Sequence, residues 1–436
     1  MLPRILIVGT VPYSKKMTSR AFESYFHGWD REKIAQVFSN SAIPTKGHCS
    51  TLYQITDTRM LKRMFKKTKT GMIYNYDELA DEDEVVKADK RNNAIVRKLY
   101  KSGRNKTPFI YLMRKLIWRK SHWCTSEFNK WLDNFKPECV FLSFSDDFFI
   151  PEIALYVAEK YDIPIVSSIG DDYYFNFRMS LSPFYYIYKL RYRHLIRKVL
   201  SHKGSAIYIG DKIRDKYNSE FGLNGETVYL TTEVKPREFK KINKNQMTVA
   251  YFGNIGGGRN YSLCDIADAL GQINDKYMLD VYSNEINEKL YACLKANEHV
   301  RFHGSIPYSE VKKRILQCDI ILVVEGFKKK DINLTRYSLS TKVADSLASG
   351  VSVFAYGSEE CGAIGYMKQI GCAIVCTKKE QLKEALCRLI DDEDLQRNNY
   401  EKAIELVKHR HTLDVSTNVF KNVVKKAMVG DNGAKR

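Results

Sequence analysis

Residues 320–356, IILVVEGFKKKDINLTRYSLSTKVADSLASGVSVFAY, constrain this chain more than any other stretch. Ile320 to Val324 is an apolar run short enough for a strand buried on both faces. A polar, basic loop follows. A helix then starts at Ser340-Thr341, carries Val343, Leu347 and Ala348 on one face and stops at Gly350. Val351 to Ala355 is a second apolar run. Strand, loop, helix, strand is the βαβ unit of a parallel sheet. Polar groups at the carboxyl end of such a strand and at the next helix's amino end make an anion site. The unit therefore reads as a grip for the phosphates of a nucleotide.

The same alternation runs through most of the chain. Arg4–Thr10, Ile34–Phe38, Cys139–Phe144, Pro164–Ser168, Ser205–Ile209 and Thr227–Leu230 are strand candidates before it. Thr248–Phe252, Met278–Tyr282, Val300–Phe302 and, after it, Ala373–Val375 continue the series. Helical patterns lie between most of them, as in sheets covered on both faces. Residues 59–136 differ: Lys and Arg dominate, an acidic run Asp81-Glu82-Asp83-Glu84 interrupts, and helices and loops are expected without a strand. Residues 235–247, KPREFKKINKNQM, read as a linker. A chain of 436 residues exceeds one ordinary core. The fold class expected is α/β, with two Rossmann-like domains facing a cleft. The predicted boundaries are 1–235, with a basic helical insertion at 59–136, a linker at 236–247, a second domain at 248–410, and a helical tail at 411–436 crossing back to the first domain.

Composition narrows the class further. Hydrophobic residues make up 44% and aromatics 12%, and no apolar run reaches the ~20 residues of a spanning helix. No small-residue cleavage site follows the first apolar run, so no signal peptide is predicted. Ten cysteines lie without CxxC pairs or metal-ligand spacing, which suits buried thiols in the cytoplasm. The two halves differ in charge. Residues 1–245 hold 43 Lys+Arg against 27 Asp+Glu, a net of +16, whereas residues 246–436 hold 27 against 24, a net of +3. A basic half suits an anionic partner, either a membrane surface or nucleic acid.

Several motifs are missing. The turn Gly9-Thr10-Val11-Pro12 lacks the later glycines of GxGxxG, and HExxH, GxSxG and Walker A patterns do not occur. The Asp-x-Asp runs at 81–83 and 392–394 read as solvated. What does occur is TVAYFGNIGGGRNYSL at 248–263: a strand ending at Gly253, a glycine-rich turn, and a helix beginning at Arg259-Asn260. Glycines let backbone N–H groups approach a diphosphate, and Arg259 supplies a fork of donors. The plain alternative is a tight turn with an exposed arginine. Lys342 lies at a helix amino end, where the dipole disfavours a cation unless an anion is present. Asp345, one turn on, is placed either for an i,i+3 salt bridge with Lys342 or for ribose hydroxyls.

Together, FGNIGGGRN, VRFHGSIPYSEVKKRILQCDIILVV and LSTKVADSLASGVSVFAYG, in this order and spacing, resemble the GT-B glycosyltransferases of the family-4-like group that builds bacterial polysaccharides and lipid-linked glycans. The similarity is strongest over 248–390. The resemblance implies that Gly253, Asn254, Gly256 and Arg259, with Asn260 adjoining, contact the donor diphosphate. It implies that Lys342, with Ser340 and Thr341 at its helix start, also contacts phosphate, and that Asp345 binds ribose. Relatives commonly carry Glu at that last position and a second Glu eight residues earlier, where this chain has Tyr337. Glu325 is the substitute considered for the sugar hydroxyls. In the first domain the resemblance puts Asp171, with Asp172, in IPIVSSIGDDYY beside the acceptor; the alternative is an Asp-rich turn. Ser145 and Asp146 are a second pair there. The implied catalytic set is Asp171, Arg259 and Lys342. The implied reaction is hexosyl transfer from a nucleotide-diphosphate sugar to a glycan or lipid-linked acceptor, retaining configuration, with no metal and no cofactor.

Residues 183–203 and 108–123 interleave aromatics with Lys and Arg and contain no acidic residue. Such helices lie in the plane of anionic membranes, while the plain alternative is a core helix with a basic face. The expected location is cytoplasmic, on the inner face of the plasma membrane. A nucleotide-sugar epimerase on the same fold is the competing enzyme reading. A nucleic-acid-binding protein is suggested by charge alone, without a recognised motif, and no nucleic-acid partner is expected.

Overall fold

The computed structural model describes residues 2–13, 20–81 and 107–430. They form two compact units. One runs to Val228 and resumes at Thr417; the other is Tyr229–Ser416. The acidic run from Glu82 to Glu84 lies outside the described residues.

The first unit is built on β1 (Ile5–Gly9), β2 (Ile34–Phe38), β3 (Thr51–Ile55), β4 (Gly71–Asn75), β5 (Cys139–Ser143), β6 (Ile165–Ile169), β7 (Gly204–Tyr208) and β8 (Glu226–Thr227). They form one sheet in the order β4-β3-β2-β1-β5-β6-β7-β8. Central β1 is buried along its whole length and pairs in parallel with β2 and β5, Ile5 standing opposite both Ile34 and Cys139. The second unit holds β9 (Val249–Phe252), β10 (Leu279–Tyr282), β11 (Val300–Gly304), β12 (Ile320–Val324), β13 (Ser352–Tyr356) and β14 (Ile374–Cys376), in the order β11-β10-β9-β12-β13-β14. Its pairings are parallel throughout. This is the α/β architecture of two Rossmann-like units.

The region 59–136 departs from expectation. β4 lies inside it, and β3 just before it, giving the sheet two strands that the apolar pattern did not reveal. β4 pairs antiparallel with β3, so the sheet is not wholly parallel. The reason is local. β4 is an edge strand, GMIYN, only partly covered, and needs no apolar run. In β3 and β2 the polar Gln54 and Gln36 are buried yet satisfied. Gln54 donates to the carbonyls of Asn40 and Ala42, and Gln36 to that of Val11. The helices of this region also supply core: Trp118 stacks on Phe149 with ring centroids 3.7 Å apart, and Trp123, Phe128 and Leu132 are buried.

Residues 235–247 pack on the second unit. Ile242 belongs to its core, and the Ile242 N–H donates to Gln396 Oε1 at 3.1 Å. The last described helix, Leu413–Val429, enters the first unit at Thr417, whose hydroxyl donates to the Ser24 carbonyl at 2.7 Å. Phe420 then packs edge-on against Phe26 and Phe141. Among the described residues, no helix is long and apolar enough to cross a membrane.

Strand order reverses between β1 and β5 in one sheet and between β9 and β12 in the other. Open parallel sheets bind ligands outside the carboxyl ends of the strands at such a reversal. The loops after these four strands are therefore where a site is to be sought.

Candidate functional site

In the second unit the loops after β9 and β12 interlock. Gly253 follows β9 at φ 135°, a conformation that L side chains rarely adopt. The Lys342 chain lies directly over it: a methyl group at Gly253 would stand 2.1 Å from Lys342 Cε. Only glycine leaves this lysine its place. Lys342 comes from the first turn of the helix Thr341–Ala348, which Ser340 caps by accepting from the Lys342 N–H at 3.4 Å. Its ammonium donates to the Tyr251 hydroxyl at 2.9 Å, and Tyr251 in turn donates to the Asn254 carbonyl at 2.6 Å. The lysine thus points to β9 and not to Asp345, the partner that an i,i+3 pair would have used.

The glycine turn closes through Asn254, whose side chain accepts from the Gly256 N–H at 2.6 Å. Gly257 and Gly258 take positive φ and lead into the helix Arg259–Ile273. Arg259 bends back over this turn. Its Nε donates to the Val324 carbonyl at 3.2 Å, Nη1 to the Gly256 carbonyl at 3.0 Å and Nη2 to Glu325 Oε1 at 3.0 Å. Three of its five N–H donors are spent on joining the two loops. Burial pulls the guanidinium's pKa down, the adjacent Glu325 carboxylate pushes it up, and the balance lies above the ordinary value. Glu325 is 4% exposed at its side chain, and its Oε2 lies 2.8 Å from Nη2 without a hydrogen-bond direction to it. That oxygen keeps its acceptor capacity.

The pair Arg259–Glu325 is self-neutralising. The positive character of the site therefore comes from Lys342 and from two helix amino ends. Thr341 is exposed beside them. Two of the expected residues are engaged elsewhere. Asn260 is buried, and its amide donates to the Leu290 carbonyl at 3.0 Å, tying its helix to the next. Asp345 is buried and accepts from Thr232 at 2.8 Å and from the Tyr308 hydroxyl at 3.2 Å.

In the first unit, Ser145 and Asp146 follow β5, and Asp171 and Asp172 follow β6. The helix Pro183–Ser201 holds the first pair: Tyr192 donates to the Ser145 carbonyl at 2.5 Å and Tyr188 to the Asp146 carbonyl at 2.9 Å. The Asp146 carboxylate accepts from Tyr111, and neighbouring Asp147 from Arg114, which also binds Asp57. Asp172 caps its own turn, accepting from the N–H groups of Tyr174 and Phe175 at 3.0 and 2.7 Å and from the Tyr217 hydroxyl at 3.0 Å. Burial raises its carboxyl pKa in spite of these bonds. Asp171 stays exposed. The structure therefore splits this pair: Asp172 holds the turn that presents Asp171.

Lys189 was not foreseen. It is 7% exposed, donates to the Tyr173 carbonyl at 2.9 Å, and burial pushes it down to about 8. A lysine in a helix full of basic residues gives no sequence signal of burial. Tyr251 was missed for a similar reason, since a strand tyrosine reads as core. Among the described residues, no group of three His, Cys, Asp or Glu side chains is placed to hold a metal ion.

No protein-family model matches the chain, and no curated protein matches it in sequence. Solved structures match it along nearly its whole length. HepE of Anabaena, crystallised with UDP, aligns over 97% of this chain and 100% of its own, at 10% identity and a TM-score of 0.59. A glycosyltransferase from Rickettsia africae aligns over 98% and 99%, at 11% identity and 0.56. The sucrose-phosphate synthase of Thermosynechococcus elongatus aligns over 98% and 100%, at 11% identity and 0.55. At such identities the likeness establishes the fold, which is the GT-B fold of glycosyltransferases.

Proposed function

We propose that this protein is a glycosyltransferase that moves a sugar from a nucleotide-diphosphate sugar to a glycan acceptor. The observation that carries the reading is Lys342 lying over Gly253 between two helix amino ends, at the carboxyl edge where the strand order reverses. As the donor bond breaks, negative charge grows on the leaving diphosphate. Lys342, the N–H groups of the glycine turn and the helix amino ends stabilise that charge. Arg259 contributes by holding the loops after β9 and β12 in register and by its remaining N–H donors. The Glu325 Oε2 is the acceptor for a donor hydroxyl, and Asp345 marks the ribose side. Asp171, exposed after β6, faces the acceptor. Cations fill the role that a metal plays in other transferases, and configuration at the sugar is retained. Crystals of HepE with UDP and with UDP-glucose support a uridine donor as the first class to test.

The acceptor is lipid-linked, in a polysaccharide or surface-glycan pathway. Support comes from an exposed apolar face. Phe109, Met113 and Leu116 on one helix and Phe184, Ile187 and Leu190 on another are exposed, and Phe109 and Phe184 meet with ring centroids 5.2 Å apart. Met179 and Leu181 of the preceding loop are almost wholly exposed. Arg178 and Arg191 lie among these segments, so the face combines apolar insertion with attraction to anionic lipid. This favours peripheral attachment at the cytoplasmic membrane, and it favours transfer over epimerisation, which needs no membrane.

Thermal shift with UDP-, GDP- and TDP-sugars tests the reading. One nucleotide class is expected to raise the melting temperature, and Lys342→Ala to abolish that rise. The absence of a shift with any of them would sink the transferase reading. Failure to pellet with anionic vesicles at low salt would remove the membrane part alone.

A further inference from the structure

The first unit holds a second concave surface, apart from the loops after β5 and β6. It is a groove of about 1210 Å³ that runs along one face of the helix Ser126–Phe135. Its other wall is the edge strand β4, the start of β3, and the segment 67–70 that follows the helix Asp57–Phe65. Arg4 and Glu32, which precede β1 and β2, close it at the amino edge of the sheet.

Six cationic side chains line the groove against two carboxylates, Glu32 and Glu127. Lys69 pairs with Glu127 at 3.4 Å, and Arg4 with Glu138 at 3.4 Å. Lys67, Lys130 and Lys136 make no ion pair among the described residues. Three uncompensated ammonium groups lining one groove from its two walls repel each other, and an anion between them would turn that repulsion into attraction. Between the charges stand hydroxyls and amides, those of Ser50, Thr51, Thr68, Asn75 and Asn134. The Thr68 hydroxyl is buried with no hydrogen-bond partner.

Size and lining select the ligand. The volume exceeds the ~300–1,000 Å³ of ordinary small-molecule sites, so a single phosphate would leave most of it empty. Single-stranded nucleic acid needs successive aromatic rings for its bases. Here Trp131 is buried with its indole N–H donated to Thr51 at 2.9 Å, which leaves only Phe135. Among the described residues, none of the exposed large apolar side chains lines the groove, so these offer a bilayer nothing to insert there. Regularly spaced anionic groups on a hydroxyl-rich chain fit both its charge and its polar lining.

We propose that this groove binds an anionic glycan chain, one whose sugars carry carboxylate or phosphate groups, at a place separate from the transfer site. Its meaning rests on the glycosyltransferase reading: a bound product or acceptor chain would stay with the enzyme between transfers. Its test does not rest on that reading, because binding is measured without turnover.

The experiment is titration calorimetry of the full chain with a decamer of galacturonic acid, a neutral maltodextrin of the same length, and an inorganic polyphosphate of equal charge. Lys67→Ala, Lys130→Ala and Lys136→Ala are combined in one variant. All three side chains are exposed, so its melting temperature and its nucleotide-sugar response should match the parent chain. The galacturonate is expected to bind, more weakly at higher salt, and the triple variant to bind it about tenfold or more less tightly. The maltodextrin is expected not to bind. Equal galacturonate affinity in the triple variant would overturn the assignment. So would polyphosphate binding at least as tightly through the same lysines, which would make the groove a general anion site. Loss of anionic-vesicle binding in the triple variant, without loss of galacturonate binding, would assign these lysines to the membrane instead.

Discussion

The two sheets share a strand order around their reversal points, yet the loops that emerge there carry opposite chemistry. In the second unit a glycine turn, Lys342 and two helix amino ends make a cationic rim, while Arg259 and Glu325 cancel each other beneath it. In the first unit the loops after β5 and β6 carry Asp146, Asp147, Asp171 and Asp172, and tyrosines from three helices, Tyr111, Tyr188 and Tyr217, donate to Asp146 and Asp172. One topology therefore provides two carboxyl-edge sites. In the proposed reaction, side-chain content fits one to a diphosphate and the other to a hydroxyl.

The sharpest way to break this contrast is to remove the cation that joins the loops after β9 and β12. Arg259→Ala leaves the buried Glu325 carboxylate uncompensated, and about 3–5 kcal/mol of stability should be lost. Calorimetric melting checks this. Pairing Arg259→Met with Glu325→Leu should recover most of the loss without recovering nucleotide binding. A single variant as stable as the parent would mean that the pair does not organise the site.

On the first-unit side, Lys189 gives a pH signature. Burial pushes its folded pKa down to about 8, below the ordinary lysine value of 10.5. Between those values the unfolded chain binds more protons than the folded one, so stability from this group rises with pH, on the order of 3 kcal/mol in all. Below about pH 8 the cost of the buried ammonium is fully present. Lys189→Met should lack this rise. The melting difference between the parent and Lys189→Met, followed from pH 7.5 to 10, must change with pH if burial acts as described.

Lys342→Ala should weaken nucleotide-sugar binding by roughly ten- to a hundredfold, the worth of a charged hydrogen bond, while leaving the melting temperature nearly unchanged. Gly253→Ala should do the same by displacing the lysine, with a loss of stability besides, since its φ of 135° suits only glycine. The smallest effects separate the two aspartates. Asp172→Ala removes a carboxylate with three hydrogen bonds and should cost about 1–3 kcal/mol. Asp171→Asn should stay within about 0.5 kcal/mol of the parent in stability yet lower the transfer rate. Equal loss of stability in both variants would merge their roles.

Much of this was legible in the chain. The central second-sheet strands β9, β12 and β13 show as apolar runs, because a parallel strand covered on both faces is apolar almost throughout. The glycine turn and Lys342 could be singled out because glycine and helix-start cations have few structural reasons to be where they are. β3 and β4 were not legible: one buries Gln54, which is satisfied by the carbonyls of Asn40 and Ala42 in the preceding loop, and the other is an edge with little to bury. Lys189, Tyr251 and the Arg259–Glu325 pair were equally hidden. Nothing local says that a lysine will be buried, or that an arginine will reach a glutamate 66 residues away.

The amino-acid sequence by itself determined the alternation of strand and helix, the division into a basic and a nearly neutral half, and the residue types at the carboxyl edges. These follow from local periodicity and composition. Only the tertiary structure decided that Lys342 turns to Tyr251 instead of Asp345, that Asp172 is drawn into its turn while Asp171 stays exposed, and that lysines from separate segments share one groove. Each of those depends on which distant backbone and side-chain groups the fold brings within hydrogen-bond or Coulomb range, and no local pattern encodes that.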